Sequence, residues 1–328
     1  MHKKLSYFPF ATLIVMACSL ANAQQPKIPR IGVITAGGAW YATIDGLRDG
    51  LRQLGLYEGK QLILEIRDTN GVVKAAEEAA KSLENEGVSL IYTTQTSISI
   101  AAKQATTHIP IVFCAGADPV SLRLVESWAK PGGRLTGVYE PGTDLTAKRL
   151  ENLKEIVPSL HRAVTFYVPN HPVSIESSKL AREAARQMGI QLIERHVLSP
   201  EELKTGLWAL KIGETDAFFE VSDAMVQVQD QLVIDATTIK RLPTMFNNQS
   251  SVTKGGLASY SANRVEVGRL SAKYVQRILE GIKPQELPVE AVRKMDLVIN
   301  LKTAKQIGLT IPPNVLARAD KVIKERRQ

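Results

Sequence analysis

Residues able to do bond chemistry are sparse and scattered. His108, His161, His171 and His196 stand apart from one another, and none has the spacing of a metal site. The chain has no G-x-S-x-G nucleophile elbow, no H-E-x-x-H zinc helix and no phosphate loop. Cys114 closes the apolar run 109–115 and reads as a buried small hydrophobe rather than a nucleophile. No catalytic residue, metal or cofactor is expected, and binding is favoured over turnover. The residues suited to binding fall in six short polar loops. Three are Gly37-Gly38-Ala39-Trp40, Thr94-Gln95-Thr96-Ser97 and Gly116-Ala117-Asp118-Pro119; three are Asn170-His171, Ser222-Asp223 and Asn247-Asn248-Gln249. The first lacks the G-x-G-x-x-G pattern, which argues against a dinucleotide. Trp40 can stack on a solute or pack in a core. Thr96 and Ser97 can cap a helix, bind an anion, or both. Asp118 precedes Pro119 as a turn or cap would. Asp223 either caps the next helix or pairs with a ligand ammonium. The candidate ligand-binding set is Gly38, Ala39, Trp40, Thr96, Ser97, Asp118, Asn170, Asp223, Asn247 and Tyr260.

Alternating strands and helices must position these loops. Aliphatic runs at 30–36, 62–67, 88–93 and 109–115 alternate with helical spacing over 40–55, 72–86 and 97–107. A Pro/Gly-rich break over 130–143 contains a short strand at 135–139 and marks a crossing between lobes. The alternation then restarts. Helices are predicted at 145–157, 173–188, 200–213 and 224–240, with strands at 163–168, 191–197, 217–221, 244–247 and 257–261. A long amphipathic helix begins at Asn263 and stops at Gly281. A linker at 283–288, a strand at 297–300 and helices at 302–308 and 313–326 complete the chain. Parallel strands need crossover helices, so the pattern predicts an α/β protein of two doubly wound, parallel-sheet lobes joined by a hinge. The expected N-terminal lobe comprises 24–140 plus about 262–286, and the C-terminal lobe 141–261 plus about 287–328. In such sheets ligands bind beyond the carboxyl ends of the strands, where the six loops lie.

The first residues read as an export signal. Lys3 and Lys4 precede an apolar stretch over 7–20, and Ala21-Asn22-Ala23 supplies a signal-peptidase site before Gln24. The stretch is shorter than the ~20 residues of a spanning helix. Val15-Met16-Ala17-Cys18 offers a lipobox as the minor alternative. A periplasmic location follows. Cleavage lowers the formal charge from +8 to +6 by removing Lys3 and Lys4. It also leaves Cys114 alone, so no internal disulfide supports the fold. The remaining basic residues are dispersed apart from Lys321, Lys324, Arg326 and Arg327, which argues against nucleic acid as a partner.

Several ordered segments then carry a resemblance. They are Gly46-Leu-Arg-Asp-Gly-Leu-Arg-Gln-Leu-Gly55, Ala129-Lys-Pro-Gly-Gly-Arg-Leu-Thr-Gly137, Lys148-Arg-Leu-Glu151 and Arg241-Leu-Pro243, followed by Gly255-Gly-Leu-Ala-Ser-Tyr260, Leu287-Pro-Val-Glu290, Ile299-Asn-Leu-Lys-Thr-Ala304 and Gly308-Leu-Thr-Ile-Pro-Pro313. Together they resemble the ABC-transporter substrate-binding proteins related to aromatic amino acid uptake receptors, with the type 1 periplasmic-binding fold. The resemblance implies a monomeric hinged receptor that holds a small solute between its lobes and serves a membrane permease and its ATPase. For an amino acid ligand, it places the carboxylate at Thr96-Ser97 and the ammonium near Asp223. The loops 37–40 and 94–96 depart from the family in detail, so the solute does not carry over. An exported ligand-sensing module and an exported enzyme are the alternatives.

Overall fold

The computed structural model describes His2 and residues 28–324. The expected signal segment, Cys18, Arg326 and Arg327 lie outside the described residues.

The first half builds one sheet. Its elements are β1 (Arg30–Thr35), α1 (Tyr41–Gln53), β2 (Ile63–Asp68), α2 (Val73–Asn85), β3 (Leu90–Thr94), α3 (Thr96–Ala105), β4 (Ile111–Ala115) and β5 (Leu135–Tyr139). All pairings among these strands are parallel, with Ile31 opposite Leu64 on one side and Leu90 on the other. Every residue of β3, β4 and β5 is buried. Helices on both faces impose this continuous apolar pattern on a parallel sheet.

The chain then builds a second sheet through α4 (Thr146–Ile156), β6 (Arg162–Tyr167), α5 (Pro172–Gln187), β7 (Gln191–His196), α6 (Pro200–Ala209), β8 (Ala217–Phe219), α7 (Ala224–Gln227), α8 (Asp230–Ile239), β9 (Thr244–Phe246), α9 (Gln249–Thr253) and β10 (Ala258–Ser261). It returns to the first sheet with α10 (Arg264–Leu279) and β11 (Glu290–Ala291). It ends on the second with β12 (Asp296–Asn300), α11 (Leu301–Ile307), α12 (Pro313–Arg318) and β13 (Lys321–Ile323). The strand orders are β11-β5-β4-β3-β1-β2 and β13-β12-β10-β9-β8-β6-β7. Only the β10–β12 pair among the described strands is antiparallel. The α/β architecture with two mainly parallel sheets is therefore the one read from the sequence.

Three passages of chain join the sheets, at 140–145, 262–263 and 292–295. Because β11 pairs with β5, the first sheet holds the chain to Ala291, a few residues past the 287 expected for the return. Helix α10 is bound to the first sheet through α1. Gly46 faces the Val265 carbonyl and Gly268 faces that of Thr43, at distances where a Cβ would not fit. One apolar core surrounds the first sheet, and two cover the faces of the second.

Three local readings need correction. The helix expected over 224–240 is two helices, broken at Val228 and Gln229, which turns Asp230 inward to accept a hydrogen bond from Ser251 Oγ at 2.5 Å. A short helix, α9, occupies residues read as loop. The helix expected over 313–326 stops at Arg318, and β13 follows. There Asp320 brackets Leu297, donating its N–H to the Leu297 carbonyl at 2.9 Å and accepting from the Leu297 N–H at 2.8 Å. That clamp and the β-branched Val322 and Ile323 favour an edge strand over helix continuation.

Candidate solute site between the two sheets

The loops at the carboxyl ends of both sheets meet around a buried cavity of about 20 Å³. Its walls include Trp40, Gln95, Thr96, Gly116, Glu140 and Arg264 from the first sheet's side, with Val173, Ser222, Gln227 and Asn247 from the second. This volume is room for about one water.

Each wall is held by its own lobe's backbone. Gln95 sits at φ 76°, a strained conformation for a residue with a side chain, of the kind concentrated at functional sites. Its Oε1 caps α3 by accepting from the N–H groups of Ser97 (2.8 Å) and Ile98 (3.4 Å). Thr96 Oγ1 accepts from Gly116 N (2.8 Å) and Ala117 N (3.2 Å), tying the ends of β3 and β4 together. The Trp40 ring carries the Arg264 guanidinium, whose central carbon lies 3.7 Å from the ring centre. Such stacking contributes roughly 0.5–2 kcal/mol and fixes the plane of the guanidinium.

A charged floor lies beneath. Glu140, Arg149, Glu220, Asp230 and Arg264 are all buried. Arg264 Nε stands 3.6 Å from Glu140 Oε1. Arg149 donates from Nη2 to the Gly142 carbonyl (2.7 Å) and to Thr146 Oγ1 (3.3 Å). Glu220 Oε2 accepts from Asn247 N at 2.9 Å and so positions that loop. Burial pushes all three carboxyls up: Glu140 against the opposing pull of Arg264, and Glu220 to about 8, with the charge of Asp230 adding to the push. Burial also lowers Arg149 to about 10, opposed by Glu220 and Glu140. Several polar atoms here have no hydrogen-bond partner among the described residues: Trp40 Nε1, Arg264 Nε and Nη1, Arg149 Nε and Nη1, Glu220 Oε1, Gln227 Oε1 and Asn247 Oδ1. Leaving such groups unpaired costs ~1–3 kcal/mol each, more where charged. A folded chain tolerates that concentration where another molecule completes the set.

Of the ten candidate residues, the structure brings Trp40, Thr96 and Asn247 to the cavity. Gly38 and Ala39 form the turn before Trp40, and Gly38 lies against Val228 of the opposite wall. Ser97 is buried with its N–H already used by Gln95. Of the two expected carboxylate anchors, Thr96 Oγ1 already accepts from two backbone N–H groups. Asp118 accepts from Val120 N at 3.0 Å and lines a separate groove with Asp144 and Ile175. Asn170, exposed in the turn before α5, and Tyr260, half-buried in β10, do not line the cavity. Asp223 is the clearest departure. Its Oδ1 caps α7 by accepting from Val226 N (2.9 Å), and its Oδ2 accepts from Val168 N (2.8 Å) and Ser174 Oγ (2.7 Å). Three hydrogen bonds from its own lobe hold the carboxylate as a helix cap, one of the two roles open to it in the sequence.

The sequence reading named Gln95 only as part of its loop, and missed Glu140, Gln227 and Arg264 as site residues and Arg149 and Glu220 beneath them. Two carried a signal. Glu220 interrupts the apolar run 217–221, and Arg264 opens α10, where its charge opposes the helix dipole.

The comparisons agree with this architecture. A tyrosine-binding protein of Clostridioides difficile is 23% identical over 264 residues, covering 80% of this chain and 76% of the relative. A conserved domain protein from Vibrio cholerae is 30% identical and superposes with a TM-score of 0.82, covering 90% of this chain and 100% of that one. An ABC domain from Streptococcus pneumoniae in complex with L-Trp is 24% identical with a TM-score of 0.81, covering 90% and 99%. The family model described as "ABC transporter substrate binding protein" matches residues 30–323, and the chain belongs to that family of solute-binding proteins.

Proposed function

We propose that this protein is the extracytoplasmic receptor of an ABC importer for an α-amino acid, of the aromatic class. The observation that carries the reading is the enclosed set of unpaired donors and acceptors between the two sheets. It calls for a small solute bearing both kinds of hydrogen-bonding group. The ligands of two relatives, tyrosine and L-Trp, support an amino acid.

Tyrosine and tryptophan are both far larger than the 20 Å³ cavity. Entry therefore requires the two lobes to part, and holding the solute requires this cavity to widen, with the joining passages 140–145, 262–263 and 292–295 as the hinge. A solute that touches both walls shifts the open–closed equilibrium by its differential affinity for the closed form. The permease then recognises the closed surface. The N-terminal segment directs export, and the processed chain begins at Gln24 and acts as a monomer.

Mass spectrometry of small molecules released on denaturing gently purified protein tests this. The reading expects a single amino acid at near one per chain. A sugar or nucleoside in that amount contradicts it.

A further inference from the structure

The cavity walls differ in polarity. On the first sheet's side the unpaired atoms are donors: Trp40 Nε1 and Arg264 Nε and Nη1. On the second sheet's side they are acceptors: Gln227 Oε1 and Asn247 Oδ1. All four side chains are more than nine-tenths buried and line the same cavity. Arg264 is also misplaced as a structural residue. It opens α10, where the dipole disfavours a cation by ~0.3–1 kcal/mol. Its approach to Glu140, at 3.6 Å, falls short of a hydrogen bond. Trp40 meanwhile holds its fork in one plane.

Resting on the reading of this cavity as the solute site, we propose that Arg264, held flat on Trp40, is the carboxylate anchor of an α-amino acid, and that Gln227 and Asn247 receive its ammonium. The solute then spans the cleft with its carboxylate toward the first sheet and its ammonium toward the second. Glu140 positions Arg264. Arg149, Glu220 and Asp230 lie behind the walls, with Glu220 holding the Asn247 backbone. A molecule with only one of the two charged groups satisfies only one wall. Polarity across the cleft therefore couples recognition to closure, because neither wall alone presents both sets of partners.

Calorimetry with L-tyrosine, tyramine (no carboxylate) and 3-(4-hydroxyphenyl)propionate (no ammonium) tests this, with the tryptophan trio run in parallel. Wild type should bind each truncated analogue about 100-fold more weakly than the amino acid, since either one leaves a buried partner unpaired. Arg264→Gln should lose about 100-fold for the amino acid, yet bind the amine within about twofold of wild type. Asn247→Ala should show the mirror pattern with the deaminated acid. Arg264→Lys keeps the charge without the planar fork, and circular dichroism checks that each variant folds. The inference is overturned if Arg264→Gln and Arg264→Lys bind the amino acid as wild type does, or lose amine and amino acid equally. A wild type that binds amino acid and amine alike overturns this inference alone, and one that binds no amino acid overturns the solute reading with it.

Discussion

The β2–α2 turn of the first lobe lies against α7 of the second, and a single methyl group there tests the proposed closure. Gly71 lies at φ 74°, and a Cβ added to it would sit 2.7 Å from the Ala224 carbonyl oxygen, 3.0 Å from its carbon and 3.1 Å from Met225 Cα. All three are backbone atoms of the opposite lobe, well inside the 3.4 Å at which ordinary contact begins, and none can swing aside. Overpacking of this kind costs about 1–3 kcal/mol. The clash exists only in the closed form, so Gly71→Ala should weaken amino acid binding by about 5- to 150-fold. The left-handed backbone adds a separate cost of about 1–2 kcal/mol, borne by open and closed forms alike. Gly55→Ala isolates that cost. Gly55 has φ 80° and nothing within 4 Å of the added atom. Calorimetry with L-tyrosine and L-tryptophan, beside urea unfolding of each variant, separates the two effects. Both variants should lose stability and only Gly71→Ala should lose affinity. Wild-type affinity in Gly71→Ala, or an equal loss in Gly55→Ala, would refute the reasoning.

Other outcomes follow from the buried polar groups. Between pH 4.5 and about 8 the unfolded chain releases a proton that folded Glu220 keeps, so this group's contribution to stability falls as pH rises and is fully lost above 8. Glu220→Gln should flatten the decline in urea midpoint between pH 5 and pH 8; an unchanged slope would assign it elsewhere. Asp223→Ala removes a helix cap and strands the Val168 N–H, so it should cost about 2–4 kcal/mol of stability while the folded fraction keeps its amino acid affinity. Reduced affinity without lost stability would return Asp223 to the site. Cys114 is fully buried and burial pushes its thiol well up, so thiol reagents should label it only on unfolding. Labelling at the rate of an exposed cysteine would contradict its placement.

The elements were legible where one force dominates. Strands β3 to β5 are buried along their whole length and show as short strand-like runs, and helices α1 and α10 show as 3.6-residue stripes. Legibility failed where a tertiary partner decides. The break before Asp230 serves a hydrogen bond to Ser251, twenty-one residues on. Strand β13 exists because Asp320 clamps Leu297. The site was legible as a set of loops but not as a set of roles. Asp223 and Thr96 occupy the expected loops, yet Asp223 caps α7 and Thr96 Oγ1 ties β3 to β4, roles that a sequence cannot distinguish from ligand contacts. Glu140 comes from a joining passage and Arg264 from the first turn of α10, and only the return of α10 to the first sheet brings Arg264 onto Trp40 and beside Glu140.

Titration of the unliganded protein with L-tyrosine and L-tryptophan by calorimetry, with small-angle scattering on the same samples, tests the central claim most directly. The account predicts saturable binding of at least one of them at one per chain, together with a smaller radius of gyration on saturation. Absence of binding by any α-amino acid, or binding that leaves the scattering unchanged from an open form, would contradict it.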